Sequence, residues 1–120
     1  RRSLVSAWNL ADFVALLVRA PQAAGKVWLI SDRDDLSTAE LVRRLARAMD
    51  RPARLLPVPV GLLRAVAGLA GRGAEVRRLV DSLQVDATPA VRELDWRPVV
   101  DVDAALARTV EAWRARGDAR

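Results

Sequence analysis

Apolar and polar positions at the start of the chain predict a strand followed by a helix. Leu4 and Val5 have strand character, and the apolar residues 10–18 follow with helical spacing. Asn9 is expected to cap this helix, with Asp12 at its third position. Because apolar residues lie on every side of the helical wheel, the helix needs cover on every side. The pattern therefore predicts an α/β unit with a buried helix.

Two further stretches have strand character. Residues 27–30 form a continuous apolar run after Gly25, which is typical of a strand buried on both faces. Residues 84–88 predict a short edge strand that ends where Pro89 opens another helix. The predicted fold class is therefore α/β, with short mixed strands covered mostly by helices. If residues 4–7 pair with residues 84–88, the residues just outside that pair converge on one side.

Helix signals divide the remainder of the chain. Ser37 and Glu40 have the spacing of a capping box, so a helix begins there. Asp101 or Asp103 is expected to cap the last long helix. The apolar stripe of the first of these helices is Leu41, Val42, Leu45, Ala46 and Met49, and that of the last is Leu106, Val110 and Trp113. Residues 62–69, 75–83 and 90–94 also favour helix, whereas the prolines make residues 55–60 extended.

Composition limits the class of protein. The chain has 120 residues, of which 52% are hydrophobic and 29% charged, a balance that suits one soluble domain. Its apolar runs are far shorter than the roughly 20 residues that span a bilayer, so no membrane partner is expected. Cysteine and histidine are both absent, which removes the usual ligands of a metal site. Since the chain begins with Arg1 and no secretory segment follows, we expect an excerpt from a longer cytoplasmic protein.

The net charge of +5 raises an alternative function. Clustered basic residues neutralise nucleic-acid phosphates, so the chain could be a small basic helical interaction or nucleic-acid-binding module. The arginines are scattered, however, and Arg43, Arg44 and Arg47 lie opposite an apolar helix face, as on a solvated surface. We therefore expect no nucleic-acid partner. Residues 68–73 are rich in glycine, but the run follows a helix, which favours a helix terminus over a phosphate-binding loop.

Four elements, taken in order, resemble a known family. They are residues 2–12 (RSLVSAWNLAD), residues 86–88 (DAT), residues 92–98 (RELDWRP) and a closing helix with Trp113. This order resembles the C-terminal half of nucleotide-sugar epimerases and dehydratases of the extended short-chain dehydrogenase/reductase class, in particular the UDP-glucose 4-epimerase-like branch. The resemblance runs the length of the chain and implies the substrate-binding lobe of a Rossmann-type enzyme, including enzymes of surface-polysaccharide biosynthesis.

The resemblance also implies a site for the substrate diphosphate. In the family, an arginine at the start of the strand that matches residues 4–7 binds the diphosphate, and Arg2 is its match. A second arginine reaches the same phosphates from the segment before residues 84–86. Its match is Arg78, with Arg77 and Arg72 as lesser candidates. Two guanidinium groups from different elements can hold a diphosphate in bidentate fashion.

Two positions depart from the family pattern, and the chemistry is missing. Trp8 stands where the family usually has an acidic residue, and Asp95 stands where glycine is common. The family uses a Tyr-x-x-x-Lys pair and NAD bound to a glycine-rich Rossmann half, but this chain has no tyrosine. We therefore expect no catalytic or cofactor-binding residue in this fragment, which would be inactive alone, while NAD is implied for the full-length enzyme.

The expected partners are thus a UDP-sugar or another nucleotide-diphosphate sugar, the missing N-terminal Rossmann half, and further copies of the protein in a homo-oligomer. The paired carboxylates Asp34 and Asp35 have a simpler interpretation as loop residues.

Overall fold

A computed structural model describes residues 1–55, 58–59, 61, 68–69 and 82–117. Four α-helices lie in these ranges: α1 (Ala7–Arg19), α2 (Thr38–Ala48), α3 (Thr88–Leu94) and α4 (Val102–Gly117), with a short 3-10 turn at Pro21–Ala23 after α1. Most residues of the predicted helices at 62–69 and 75–83, of the extended segment at 55–60 and of the glycine run lie outside the described residues. None of the helices in the described part is long and apolar enough to cross a membrane.

The predicted α/β lobe is wrong, because the described residues contain helices and no strand. Backbone pairing is limited to two isolated bridges, Arg2 with Leu36 in antiparallel fashion and Arg2 with Leu83 in parallel fashion. A strand needs successive pairs, but Ser6 already caps a helix that begins at Ala7, which ends the extended segment. The described residues are therefore not a Rossmann-type α/β lobe with mixed strands.

The predicted buried strand at residues 27–30 is also wrong. The segment has no bridge partner in the described part of the chain, and its side chains alternate between two environments. Trp28 and Ile30 pack against the core, whereas Val27 and Leu29 are 91% and 57% exposed. The continuous apolar run predicted a strand covered on both faces. Only the face with Trp28 and Ile30 is covered, and the face with Val27 and Leu29 is open.

Helix α1 begins three residues earlier than its apolar run. The hydroxyl of Ser6 accepts from the backbone N–H of Asn9 at 3.2 Å, so Ser6 is the N-cap and the predicted cap at Asn9 is wrong. Phe13 is buried at the centre of the core, but Val14 and Val18 are 50% and 83% exposed. The predicted cover on every side of this helix is thus absent from the described structure.

The capping box of helix α2 is confirmed. The Ser37 hydroxyl accepts from the backbone N–H of Glu40 at 3.2 Å, and the Glu40 carboxylate accepts from the Ser37 N–H at 2.7 Å. These contacts lower the pKa of Glu40, chiefly through the Ser37 backbone N–H. Helix α2 packs on α4, and Arg114 of α4 donates to the carbonyl of Met49 at the C-terminal end of α2, at 2.9 Å.

The chain around helix α3 forms the other half of the core. The helix begins at Thr88, so Pro89 lies in its first turn, one position later than predicted, and the described residues do not form the predicted edge strand at 84–88. Asp95 ends the helix in the left-handed region, with φ 49°. Trp96 is only 3% exposed, and its ring packs edge-on against Phe13 with 5.0 Å between ring centroids. The predicted cap of α4 is confirmed at Asp101, whose carboxylate accepts from the Ala104 N–H at 2.7 Å.

Candidate functional site

Arg2 lies between two segments that are far apart in sequence. Its N–H donates to the Leu36 carbonyl at 2.8 Å, and its own carbonyl accepts from the Leu36 N–H at 3.1 Å. On the other side, Ser3 N–H donates to the Leu83 carbonyl, and Leu83 N–H donates to the Arg1 carbonyl, both at 2.9 Å. The backbone of Arg2 is therefore held on both sides, which fixes the point from which its side chain extends.

The guanidinium of Arg2 is partly buried, and it retains a donor. Its Nε atom is buried and has no hydrogen-bond partner among the described residues. Buried donors in folded proteins are nearly always paired, so an unpaired one is a feature that needs an explanation. An arginine Nε can donate but not accept, so only an acceptor such as a carbonyl or an anionic oxygen could pair with it.

A carboxylate joins the same two segments beside Arg2. Asp35 Oδ1 accepts from the Ser3 hydroxyl at 2.6 Å, and Asp35 Oδ2 accepts from Gln84 Nε2 at 2.7 Å. The Ser3 oxygen in turn accepts from the Val85 N–H at 2.9 Å. Hydrogen bonds from Ser3, and then from Gln84, lower the pKa of Asp35, so the group is ionised at neutral pH.

A second polar cluster is centred on Asn9, which is fully buried. Its amide nitrogen donates to Asp32 Oδ1 and to the Val100 carbonyl, each at 2.7 Å. Its amide oxygen accepts from the N–H groups of Val99 and Val100, both at 2.9 Å. Asp32 also accepts from the Ser6 N–H, at 3.0 and 3.1 Å to its two oxygens. All four hydrogen-bonding positions of the Asn9 amide are thus used, and they join α1 to two distant loops.

Two cavities lie beside these clusters. One of about 160 Å³ is polar and shares Asp35 with the cluster around Ser3; it is lined by Ser31, Arg33, Asp35 and residues 85–88. At its edge, hydrogen bonds from Thr88 lower the pKa of Asp86. The other, of about 310 Å³, is mostly apolar and lies between residues 4–8, Asp32 and helix α4. A larger cavity of about 460 Å³ lies between α1 and Trp96.

The structure describes one of the four predicted site residues and not the other three. Arg2 is described, and the segment of residues 1–3 does adjoin Leu83, although the contact is a single bridge and not the predicted pairing of residues 4–7 with 84–88. Arg78, Arg77 and Arg72 lie outside the described residues. The sequence did not indicate a role for Asn9, Asp32 or Asp35 in joining segments. Local sequence favours a loop position for Asp35 and gives no sign of its partner Ser3, which is 32 positions away.

Several basic side chains form ion pairs with acidic neighbours. Arg44 bonds Asp34 at 2.6 Å and lies 3.5 Å from Asp103, and Asp34 holds the pKa of Arg44 above its ordinary value. Lys26 pairs with Glu93 at 2.7 Å. These ion pairs offset positive side-chain charge within the molecule. Such pairing is more typical of a solvated surface than of a face that binds phosphates. In the described part of the chain, no three acidic side chains come together as metal ligands would.

The chain is similar to UDP-glucose 4-epimerase of Vibrio cholerae. The two are 40% identical over 113 residues, which is 94% of this chain and 34% of the relative. The chain thus spans about a third of the length of the curated relative it matches. No protein-family model matches the chain, and no solved structure matches it significantly.

Proposed function

We propose that this chain is the C-terminal, substrate-binding part of an NAD-dependent enzyme that epimerises or dehydrates a nucleotide-diphosphate sugar, with UDP-glucose as the first candidate substrate. The observation that carries the proposal is the 40% identity to a UDP-glucose 4-epimerase over nearly the whole chain. The order of the four sequence elements described above supports the same family. On this proposal the protein is a soluble enzyme of the cytoplasm.

Arg2 is proposed to bind the substrate diphosphate. Its backbone is fixed by Leu36 on one side and by the Leu83 segment on the other, so its guanidinium extends from a defined point. Anionic oxygens are the strongest acceptors for such a donor, and a guanidinium can bind two of them at once. Arg78 remains the proposed second ligand, with Arg77 and Arg72 as lesser candidates.

The redox chemistry is proposed to reside in the rest of the longer protein. NAD, when bound there, would supply reversible hydride transfer at the sugar ring. The described residues offer no strand that leads through a glycine loop into a helix, so they do not fit the pyrophosphate of NAD. The chain also has no tyrosine for the family's Tyr-x-x-x-Lys pair. In this division of labour, the chain binds and orients the substrate, and the other part of the protein holds the cofactor.

The activity of the full-length protein tests this proposal. Purified protein supplied with NAD and UDP-glucose should form the sugar's C4 epimer, which chromatography of the nucleotide sugars separates from the substrate. If the protein binds UDP-sugars but removes water from them, it belongs with the dehydratases of the same family. A folded protein that neither binds nor converts any nucleotide-diphosphate sugar would contradict the proposal.

A further inference from the structure

The position of the Arg2 guanidinium depends on the segments around Arg2, because these segments hold its backbone. Three segments meet there: residues 1–3, residues 35–36 and residues 83–85. Leu36 bonds the backbone of Arg2 directly, while the residue before Leu36 is Asp35. The side chain of Asp35 reaches the other two segments, through the Ser3 hydroxyl and the Gln84 amide. One carboxylate therefore joins all three segments that surround Arg2.

We infer that Asp35 is a positioning residue for Arg2, and that it sets the geometry in which Arg2 binds the substrate diphosphate. The inference rests on the proposed function. Asp35 does not contact the substrate in this account. It holds Ser3, the residue next to Arg2, and through the Ser3 oxygen it fixes the Val85 N–H. Its bond to Gln84 keeps the neighbouring segment in place.

The charge of Asp35 makes this arrangement specific. Asp35 precedes Leu36, which bonds the backbone of the phosphate-binding Arg2. A carboxylate with free oxygens at this position would repel an anionic substrate. Here both oxygens accept short hydrogen bonds from neutral donors, at 2.6 and 2.7 Å. Hydrogen bonds to an ionised acceptor are stronger than those between neutral groups, so an ionised Asp35 holds Ser3 and Gln84 more firmly than an amide would. An aspartate is thus suited to this position in spite of its charge.

The test is a double-mutant cycle in the full-length protein. Asp35→Ala should raise the KM for the UDP-sugar about tenfold while leaving kcat nearly unchanged, because misplacing a binding group weakens binding more than chemistry. In an Arg2→Ala background, the same substitution should have little further effect, since Asp35 acts through Arg2. Equal effects of Asp35→Ala in both backgrounds would overturn the inference.

Matched variants separate positioning from general stability. Asp34→Ala removes the adjacent carboxylate, which bonds Arg44 at 2.6 Å, and should leave the KM unchanged. Asp35→Asn retains an oxygen that can accept from Ser3 but presents an NH2 group to the Gln84 amide nitrogen, so it should recover only part of the affinity lost in Asp35→Ala. Ser3→Ala cuts the same link from its other end and serves if Asp35→Ala fails to fold; a normal KM for Ser3→Ala would overturn the inference.

The outcome also distinguishes this inference from the proposed function. If Arg2→Ala raises the KM but Asp35→Ala does not, only the positioning role is wrong. If Arg2→Ala itself leaves the KM unchanged, the proposed diphosphate site is wrong and the role of Asp35 is wrong with it.

Discussion

Asn9 is the residue on which the packing of helix α1 depends most directly. Its amide is fully buried and makes four side-chain hydrogen bonds, to Asp32, Val99 and Val100. Because these partners are distant in sequence, the amide is a cross-link between segments and not a local cap. Loss of the amide would leave buried N–H and C=O groups unpaired, which is more costly than the loss of the bonds alone.

Replacing Asn9 should therefore destabilise the chain strongly. Asn9→Ala is expected to lower the free energy of unfolding by about 2–4 kcal/mol. Asn9→Asp, although of the same size, should do at least as much harm, because it removes the donor and places a second carboxylate 2.7 Å from Asp32 Oδ1. Denaturant unfolding followed by circular dichroism measures both. Gln22→Ala, at an exposed amide, is the control. A change below about 0.5 kcal/mol for Asn9→Ala would contradict this account.

The sequence indicated Asn9 as polar and close to a helix start, but it could not indicate its role. An asparagine before an apolar run is a common helix cap, and local spacing alone favours that interpretation. The actual cap is Ser6, and the partners of Asn9 lie 23 and 90 or more positions away. The same limit applies to Asp35, whose partners Ser3 and Gln84 are brought close only by the fold.

At the scale of elements, helix ends were predictable because their chemistry is local. The capping box of α2, the proline in the first turn of α3 and the aspartate cap of α4 each involve residues at most four positions apart. Strands were not predictable in this way. Residues 4–7 and 27–30 have strand composition, but a strand also requires a paired neighbour. In the described chain, backbone pairing is limited to the isolated bridges of Arg2, which lies outside both segments.

The capping box of α2 should make stability depend on pH. The pKa of Glu40 is lower in the folded chain than its ordinary value. The contribution of Glu40 is therefore fully present above its ordinary pKa, and it is lost as the pH falls through the lower folded pKa. Glu40→Gln should be less stable than the original chain at neutral pH, and this difference should shrink in acid. Thermal unfolding across the acid range measures it.

A control separates capping from net charge in that experiment. Glu111→Gln removes the same charge from an exposed position on α4. If the two glutamine variants behave alike at every pH, the capping box does not contribute in the way described. A difference between Glu40→Gln and the original chain that stays constant with pH would contradict the role of Glu40 ionisation.

At the scale of the whole molecule, the outer face of α1 is exposed and apolar. Leu10, Val14 and Val18 lie four residues apart along this face and are 45%, 50% and 83% exposed. Val27 and Leu29 add two more exposed apolar side chains. Exposed apolar rows of this kind often mark a surface that another part of a protein covers, and the chain spans 34% of its curated relative. Both findings agree with the proposal that the rest of a longer protein packs here, and the proposed homo-oligomer is a further candidate for this contact.

The site of substrate binding follows from the same proposal. Arg2 is fixed between Leu36 and Leu83, and the segment that would present Arg78 precedes Leu83 in the chain. If both arginines bind one diphosphate, each contributes charge-assisted hydrogen bonds of about 1.5–3 kcal/mol. Removal of either should then weaken binding about tenfold or more. The two losses should not add fully, because both groups bind the same ligand.

The most direct test is titration of the full-length protein with UDP-glucose in a calorimeter. Arg2→Ala should raise the dissociation constant about tenfold or more while leaving the affinity for NAD unchanged. Arg78→Ala should behave in the same way, and Arg116→Ala, at an exposed position of α4, should bind as the original protein does. Normal binding by Arg78→Ala but not by Arg77→Ala or Arg72→Ala would move the second ligand to that neighbour. Normal binding of UDP-glucose by the variants of all four candidate arginines would contradict the account.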